Sequence, residues 1–372
     1  MRRTKVWFLR AASLLVALAI GFGLAEGIAR LCVDAPGPAP RGDGEIMRES
    51  AEASRGWELV PHTRMQLFYP ARNGEERVVT HDVGPHGWRG ARFTTRKRPG
   101  SVRIGCVGDS HTFGWGVEES ETWPVQLERV LRERGYDVEV LNFGVPNTNL
   151  EEKAFIVEHI ALQADCDLIA LQLHFDDNAL DGINLGRRAG HAWVASAQRE
   201  GPSDTLEWLR ERFVSVELVT EGLRRQRASQ SYVMRHTAAM RSGHPAAVRI
   251  DQSLKNLRAA THERGAALAA FIYPLPVRTE NGWASAKLDE QWMDAARRAG
   301  IDALTFDRAF DRVSGDVCVH PLDPHVNARA QSECAQAAAN FIVERGLLSE
   351  ERVHEWSHER HLVHEDQHEQ DR

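Results

Sequence analysis

The sequence predicts a doubly wound α/β fold: a parallel sheet covered by helices on both faces, carrying a helical insertion and a small β-rich extension on its amino-terminal side. Three observations lead to it. From Ser101 onward, short apolar runs alternate with amphipathic stretches of helical length, the pattern of consecutive βαβ units. The runs are apolar throughout rather than alternating, as strands buried on both faces must be. The first run ends in "GDS", a glycine, acid and serine turn at the strand's carboxyl end, where open α/β sheets bind ligands.

The elements follow in order. "SVRIGCVG" is the first strand, "TWPVQLERVLRERG" an amphipathic helix ending at a glycine, and "DVEVLNFG" the second strand. "NLEEKAFIVEHIALQA" is a helix and "DLIALQLHF" the third strand. Between about 181 and 245 the alternation stops and charged helical sequence takes over, an insertion at the ligand-binding edge. Two readings stand for it: a lid or docking surface, or a helical pair packed on the side of the domain. Alternation resumes with "RIDQSLKNLRAATHERG" as helix, "AALAAFIYP" as strand, "LDEQWMDAARRAG" as helix and "IDALTFD" as a fifth strand. "NARAQSECAQAAANFIVERG" closes the domain, which runs from 101 to 346.

At the amino terminus, "MRRTKVWFLR" precedes an uncharged run from Ala11 to Ala25, so residues 1–31 read as an export signal or a retained single-pass anchor. Cationic flanks stay inside, which places the rest of the chain in the periplasm or exterior, whether anchored in the inner membrane or secreted after cleavage. Leu31 before Cys32 does not suit a lipoprotein site. Residues 32–56, rich in proline and glycine, read as a linker, and 57–100, with short apolar runs broken by Asn73-Gly74 and Gly84-Pro85, as the β-rich extension. Residues 347–372 form a charged tail. Its His354, His358 and His361 share a helical face, a pattern that suits adventitious metal but belongs first to a solvated tail.

With 372 residues, 42% apolar and a net charge of -7, the chain supports one substantial core and has no broad basic field, which argues against nucleic acid as a partner. Its five cysteines make no disulfide framework, although Cys318 and Cys334 are available to pair in an oxidising compartment.

Ser110 is the best-placed nucleophile, at the carboxyl end of the first strand. A serine needs a base that is itself oriented. His325, on the loop before the last helix, fits as base, with Asp323 two residues before it. An oxyanion needs preorganised donors, and the backbone N–H groups of Ser110 and Gly144 are suited to supply them. Asp109 reads as fixing the turn by accepting backbone N–H groups, and Asp177 as pairing locally. A different chemistry would gather Asp109, His111, Asp176, Asp177, Asp323 and His325 around a divalent metal, but it leaves the glycine and serine placements unexplained.

Together "GDSHTFGWGV", "NFGV", "LHFDDN" and "DPHVN" resemble, in order and spacing, the consecutive blocks of the SGNH (GDSL-like) hydrolase family, over roughly Val102 to Leu347. The anchor and the "WRG" ahead of the first strand resemble membrane-anchored bacterial members. The resemblance implies a flavodoxin-like α/β/α sandwich with a five-stranded parallel sheet. It makes Ser110 the nucleophile, His325 the base with Asp323 beside it, and Gly144 part of the oxyanion hole. It implies no cofactor and no metal, and an acyl-ester substrate, an acylated saccharide or lipid, that is hydrolysed or whose acetyl group is transferred onto cell-envelope sugars.

Two departures from the family's pattern stand out. Its acid is usually three residues before the histidine, where this chain has Leu322; Asp323 is one residue closer. Its oxyanion asparagine corresponds to Asp176, and an ionised carboxylate cannot donate. Three explanations are open: Asp176 is protonated in a dry pocket, Asn178 replaces the amide, or catalysis is impaired, since losing one donor costs about 10²–10³ in rate.

Overall fold

The computed structural model describes residues 2–32, 40–70, 75–90, 96–178, 208–209, 212–216, 219–220, 233–320 and 323–348. Its centre is a five-stranded parallel sheet of β6 (Val102–Gly108), β7 (Val138–Gly144), β8 (Leu168–His174), β9 (Ala267–Tyr273) and β12 (Asp302–Thr305). The spatial order is β12-β9-β8-β6-β7, so the chain steps outward from β6 to β7, then crosses back to β8. That reversal opens a crevice beyond the carboxyl ends of β6 and β8, and the turn after β6 lies in it.

Helices cover both faces, each burying the stripe that its sequence offers. One face holds α3 (Trp123–Glu133), whose Trp123, Leu127, Val130 and Leu131 recur at helical spacing, and α8 (Ala328–Glu344), whose small Ala335, Ala338 and Ala339 allow close packing. The short α7 (Asp307–Asp311) joins them through Phe310. The other face holds α4 (Leu150–Ile156), α5 (Pro245–Glu263) and α6 (Ala286–Arg298), through residues such as Ile156, Leu254 and Trp292. Asn149 and Glu152 form a reciprocal cap that starts α4. The one-turn α2 (Ser110–Phe113) follows β6 directly.

The amino-terminal extension begins earlier than composition indicates. β1 (Arg41–Asp43) pairs with β4 (Arg64–Pro70), which pairs with β5 (Glu76–Asp82), while β2 (Met47–Glu49) pairs with β3 (Trp57–Leu59). Residues 41–43 and 47–49, read as linker, are therefore strand, because the pairing uses backbone groups and the β1 side chains stay exposed. Two short hairpins complete the fold: β10 (Arg278–Thr279) with β11 (Gly282–Trp283), and β13 (Cys318–His320) with β14 (Asp323–Val326). His325 thus sits on a strand rather than a loop. Cys318 and Cys334 keep their thiols and form no disulfide.

α1 (Arg2–Cys32) contains Ala12–Leu31, 20 residues of mean hydropathy 1.9, long and apolar enough to cross a membrane. Its last turns meet the insertion. Glu26 accepts from the backbone N–H groups of Val214 (3.0 Å) and Ser215 (2.9 Å), Arg30 donates to the Arg212 carbonyl, and Phe22 meets Phe213 edge to face. Most of the insertion and the tail histidines lie outside the described residues.

Candidate active site

β14 brings the base and its acid together. Residues i and i+2 of a strand share a face, so the two-residue spacing suffices to place Asp323 beside His325. Asp323 Oδ1 lies 2.6 Å from His325 Nδ1 and also accepts the His325 backbone N–H at 3.1 Å. His325 Nε2 lies 2.8 Å from Ser110 Oγ. With Nδ1–H donated to the carboxylate, Nε2 is left as the acceptor facing the serine hydroxyl. Burial pushes the Asp323 carboxyl up, but the His325 charge and hydrogen bonds outweigh it and hold the group ionised.

The nucleophile turn is fixed from below. Asp109 caps α2 by accepting the His111 N–H, and its other oxygen accepts from Lys153 Nζ (3.0 Å) and Gln172 Nε2 (2.9 Å). Lys153 is fully buried and uses all three of its donors: Asp109, the Gln172 carbonyl and Asp177 Oδ2 (2.7 Å). Burial raises the Asp109 carboxyl, yet the ammonium overrides this and holds it far below the usual range. Asp177 shares the same ammonium with Asp109, and burial pushes its pKa up to about 7. Sequence reading missed Lys153 and Gln172, since a lysine in an amphipathic helix is ordinarily solvated.

From the other side, the extension holds the loop after α2. Arg89 is buried and donates to the carbonyls of Phe113 (2.7 Å), Gly114 and Val117 (2.5 Å). The "WRG" run thus carries a cation that gathers the carbonyls of the turn. Tyr69, on β4, donates its hydroxyl to Asp323 Oδ2 at 2.9 Å.

The expected oxyanion donors are placed less favourably. Ser110 is the first residue of α2, so its N–H is one of the donors that a helix leaves without an internal partner. Gly144, by contrast, donates its N–H to the Asn142 side chain at 2.9 Å. Its lack of a side chain serves packing: a Cβ there would lie 2.1 Å from the Phe113 backbone nitrogen. Asn178 is also committed, its amide donating to the His236 carbonyl at 3.0 Å and its oxygen meeting the His236 ring. It does not replace the missing amide.

Asp176 is not in a dry pocket. Its side chain is 40% exposed and lies 3.1 Å from His174 Nδ1. Against the cost of burial, the His174 hydrogen bond and charge lower the Asp176 pKa, and the Asp176 hydrogen bond and charge raise that of His174. The contact favours the ionised Asp176 over the protonated donor. Asn147, exposed on the loop after β7 with φ of 65°, is a neutral amide on this edge that the sequence reading passed over.

The six residues weighed as metal ligands do not converge. His325 faces Ser110 with Asp323 on its far side, while Lys153 lies between Asp109 and Asp177 where a cation would have to sit. A smaller group, Asp109, His174 and Asp176, has ligand atoms within 4.8 Å of one another, but Asp109 there is already neutralised by the ammonium.

No protein-family model matches the chain, and no curated protein matches it. Solved structures do. A lipase/acylhydrolase from Enterococcus faecalis is 12% identical with TM-score 0.37, over 66% of this chain and 95% of that one. The esterase EstA from Pseudoalteromonas sp. is 14% identical with TM-score 0.37, over 66% and 98%. A protein described as lipolytic and of the G-D-S-L family, from Desulfitobacterium hafniense, is 13% identical with TM-score 0.36, over 65% and 99%. The strand order and parallel pairing of this chain define its α/β fold by themselves, and the solved structures that it matches include one described as of the G-D-S-L family and one described as an SGNH hydrolase.

Proposed function

We propose that the protein is a membrane-anchored, extracytoplasmic serine esterase or O-acyltransferase. The observation that carries this is the continuous hydrogen-bonded chain from Ser110 Oγ through His325 to Asp323. In this reading Ser110 Oγ attacks the acyl carbonyl as its proton passes to His325 Nε2, and Asp323 stabilises the imidazolium. The alcohol leaves with that proton. Water or a sugar hydroxyl then attacks the acyl-serine, with His325 taking and returning the proton again. The Ser110 N–H holds the oxyanion. With Gly144, Asp176 and Asn178 committed elsewhere, the second donor falls to Asn147. Retention of the anchor is supported by the bonds between Glu26 and the 214–215 backbone, which tie α1 into the folded domain.

A second reading, a catalytically weak binding or assembly protein of envelope polysaccharide export, is favoured by the ionised Asp176 at the place of an amide donor. A fluorophosphonate probe separates the two. The enzyme reading expects labelling of the wild type and none of Ser110→Ala; a folded wild-type protein that stays unlabelled overturns it.

A further inference from the structure

Asp323 has two oxygens with unequal loads. Oδ1 serves both the His325 ring and the His325 backbone N–H, while Oδ2 has the phenol of Tyr69. A carboxylate turns about a broad two-fold torsion, so a donor on Oδ2 decides which oxygen faces the imidazole. Tyr69 comes from 254 residues earlier in the chain and is 4% exposed, so its ring is held by the core rather than by its bond. The burial and the adjacent carboxylate keep the phenol protonated, and it can only donate here.

The surroundings are built for this approach. Gly116 has φ of +79°, and a Cβ there would lie 2.5 Å from the Tyr69 hydroxyl. The second glycine of "GWG" thus leaves room for the phenol. Arg77, opposite Tyr69 in the β4–β5 ladder, stacks its guanidinium 6.0 Å from the ring centre and donates to the Gly116 carbonyl. One β-hairpin of the extension therefore grips both the loop after Ser110 and the acid of the histidine.

We propose that Tyr69 is a positioning residue: its hydroxyl, by donating to Asp323 Oδ2, holds Oδ1 toward His325 Nδ1, so that the extension is a working part of the site rather than an accessory. The proposal rests on the esterase reading for its kinetic consequence but not for its geometry. Tyr69→Phe removes one oxygen and keeps the ring. In the full-length protein, kcat on a short acyl ester is expected to fall about tenfold with KM changed less than about twofold, the loss of one hydrogen bond to a charged group. In an Asp323→Ala background the same substitution is expected to have no further effect. A kcat equal to wild type, or the same tenfold loss without Asp323, overturns the proposal. The low-field proton resonance of His325 Nδ1–H gives a readout that needs no turnover: Tyr69→Phe is expected to shift or broaden it, and an unchanged resonance overturns the proposal. Absent turnover with a shifted resonance would instead count against the esterase reading alone.

Discussion

In the esterase reading, Asp176 is the residue most at odds with turnover. Its carboxylate offers no proton to an oxyanion, and His174 keeps it ionised. Asp176→Asn restores a neutral donor and is expected to raise kcat about tenfold or more, measured on a soluble acyl ester, given that one such donor is worth about 10²–10³. A fall in kcat would show that the His174–Asp176 pair itself serves the reaction. Ser110, His325 and Asp323 were legible in the sequence because motif and strand end coincide within a few residues. The partners of Gly144 and of Asn178, one of the explanations left open, were not legible for the opposite reason. What claims their hydrogen bonds, the Asn142 side chain and a histidine 58 residues further on, is settled only by the folded geometry.

Among the elements, α4 does more than cover the sheet. Through Lys153 it ties the turn after β6 to the end of β8, and its cost is a shared ammonium with two carboxylates. Asp177 yields: its pKa rises from 3.8 to about 7, and its Oδ1 has no hydrogen-bond partner among the described residues, leaving room for the proton. The folded state then holds a proton that the unfolded chain has lost, so stability from this group is full below about pH 4 and fades as pH rises toward 7. Urea unfolding across that range is expected to show a smaller decline for Asp177→Asn than for the wild type; identical slopes would place the proton elsewhere. The strands of the sheet were readable as apolar runs, since burial on both faces leaves nothing to disguise them. β1 was not, because its side chains are Arg41, Gly42 and Asp43 and only its backbone is engaged. Neither was the reach of β4, since an alternating strand does not announce that Tyr69 will end beside Asp323.

At the scale of the whole molecule, the extension, the α/β domain and α1 are joined by specific polar contacts. Glu26 holds three donors of the insertion, counting the Ser215 hydroxyl at 2.8 Å. In the anchored reading these partners hold the helix to the domain. Intact mass of the membrane-bound protein is expected to include residues 2–32, and Glu26→Gln is expected to make the insertion more open to limited proteolysis near 214. A mature protein beginning after Ala25 would reverse this reading. Composition and flanking charge showed the apolar helix but not its attachment, which depends on residues nearly two hundred positions apart.

The clasp between Glu26 and the insertion bears on reach. A domain joined to its anchor only by a chain segment sweeps a volume set by the length of that segment, and meets whatever diffuses into it. One clasped to the emerging end of its own helix works at a fixed height above the bilayer. In the anchored-esterase reading, Ser110 would then select by altitude as well as by chemistry: acyl groups borne close to the membrane would come within its range, and those on distant polymer would have to be delivered to it.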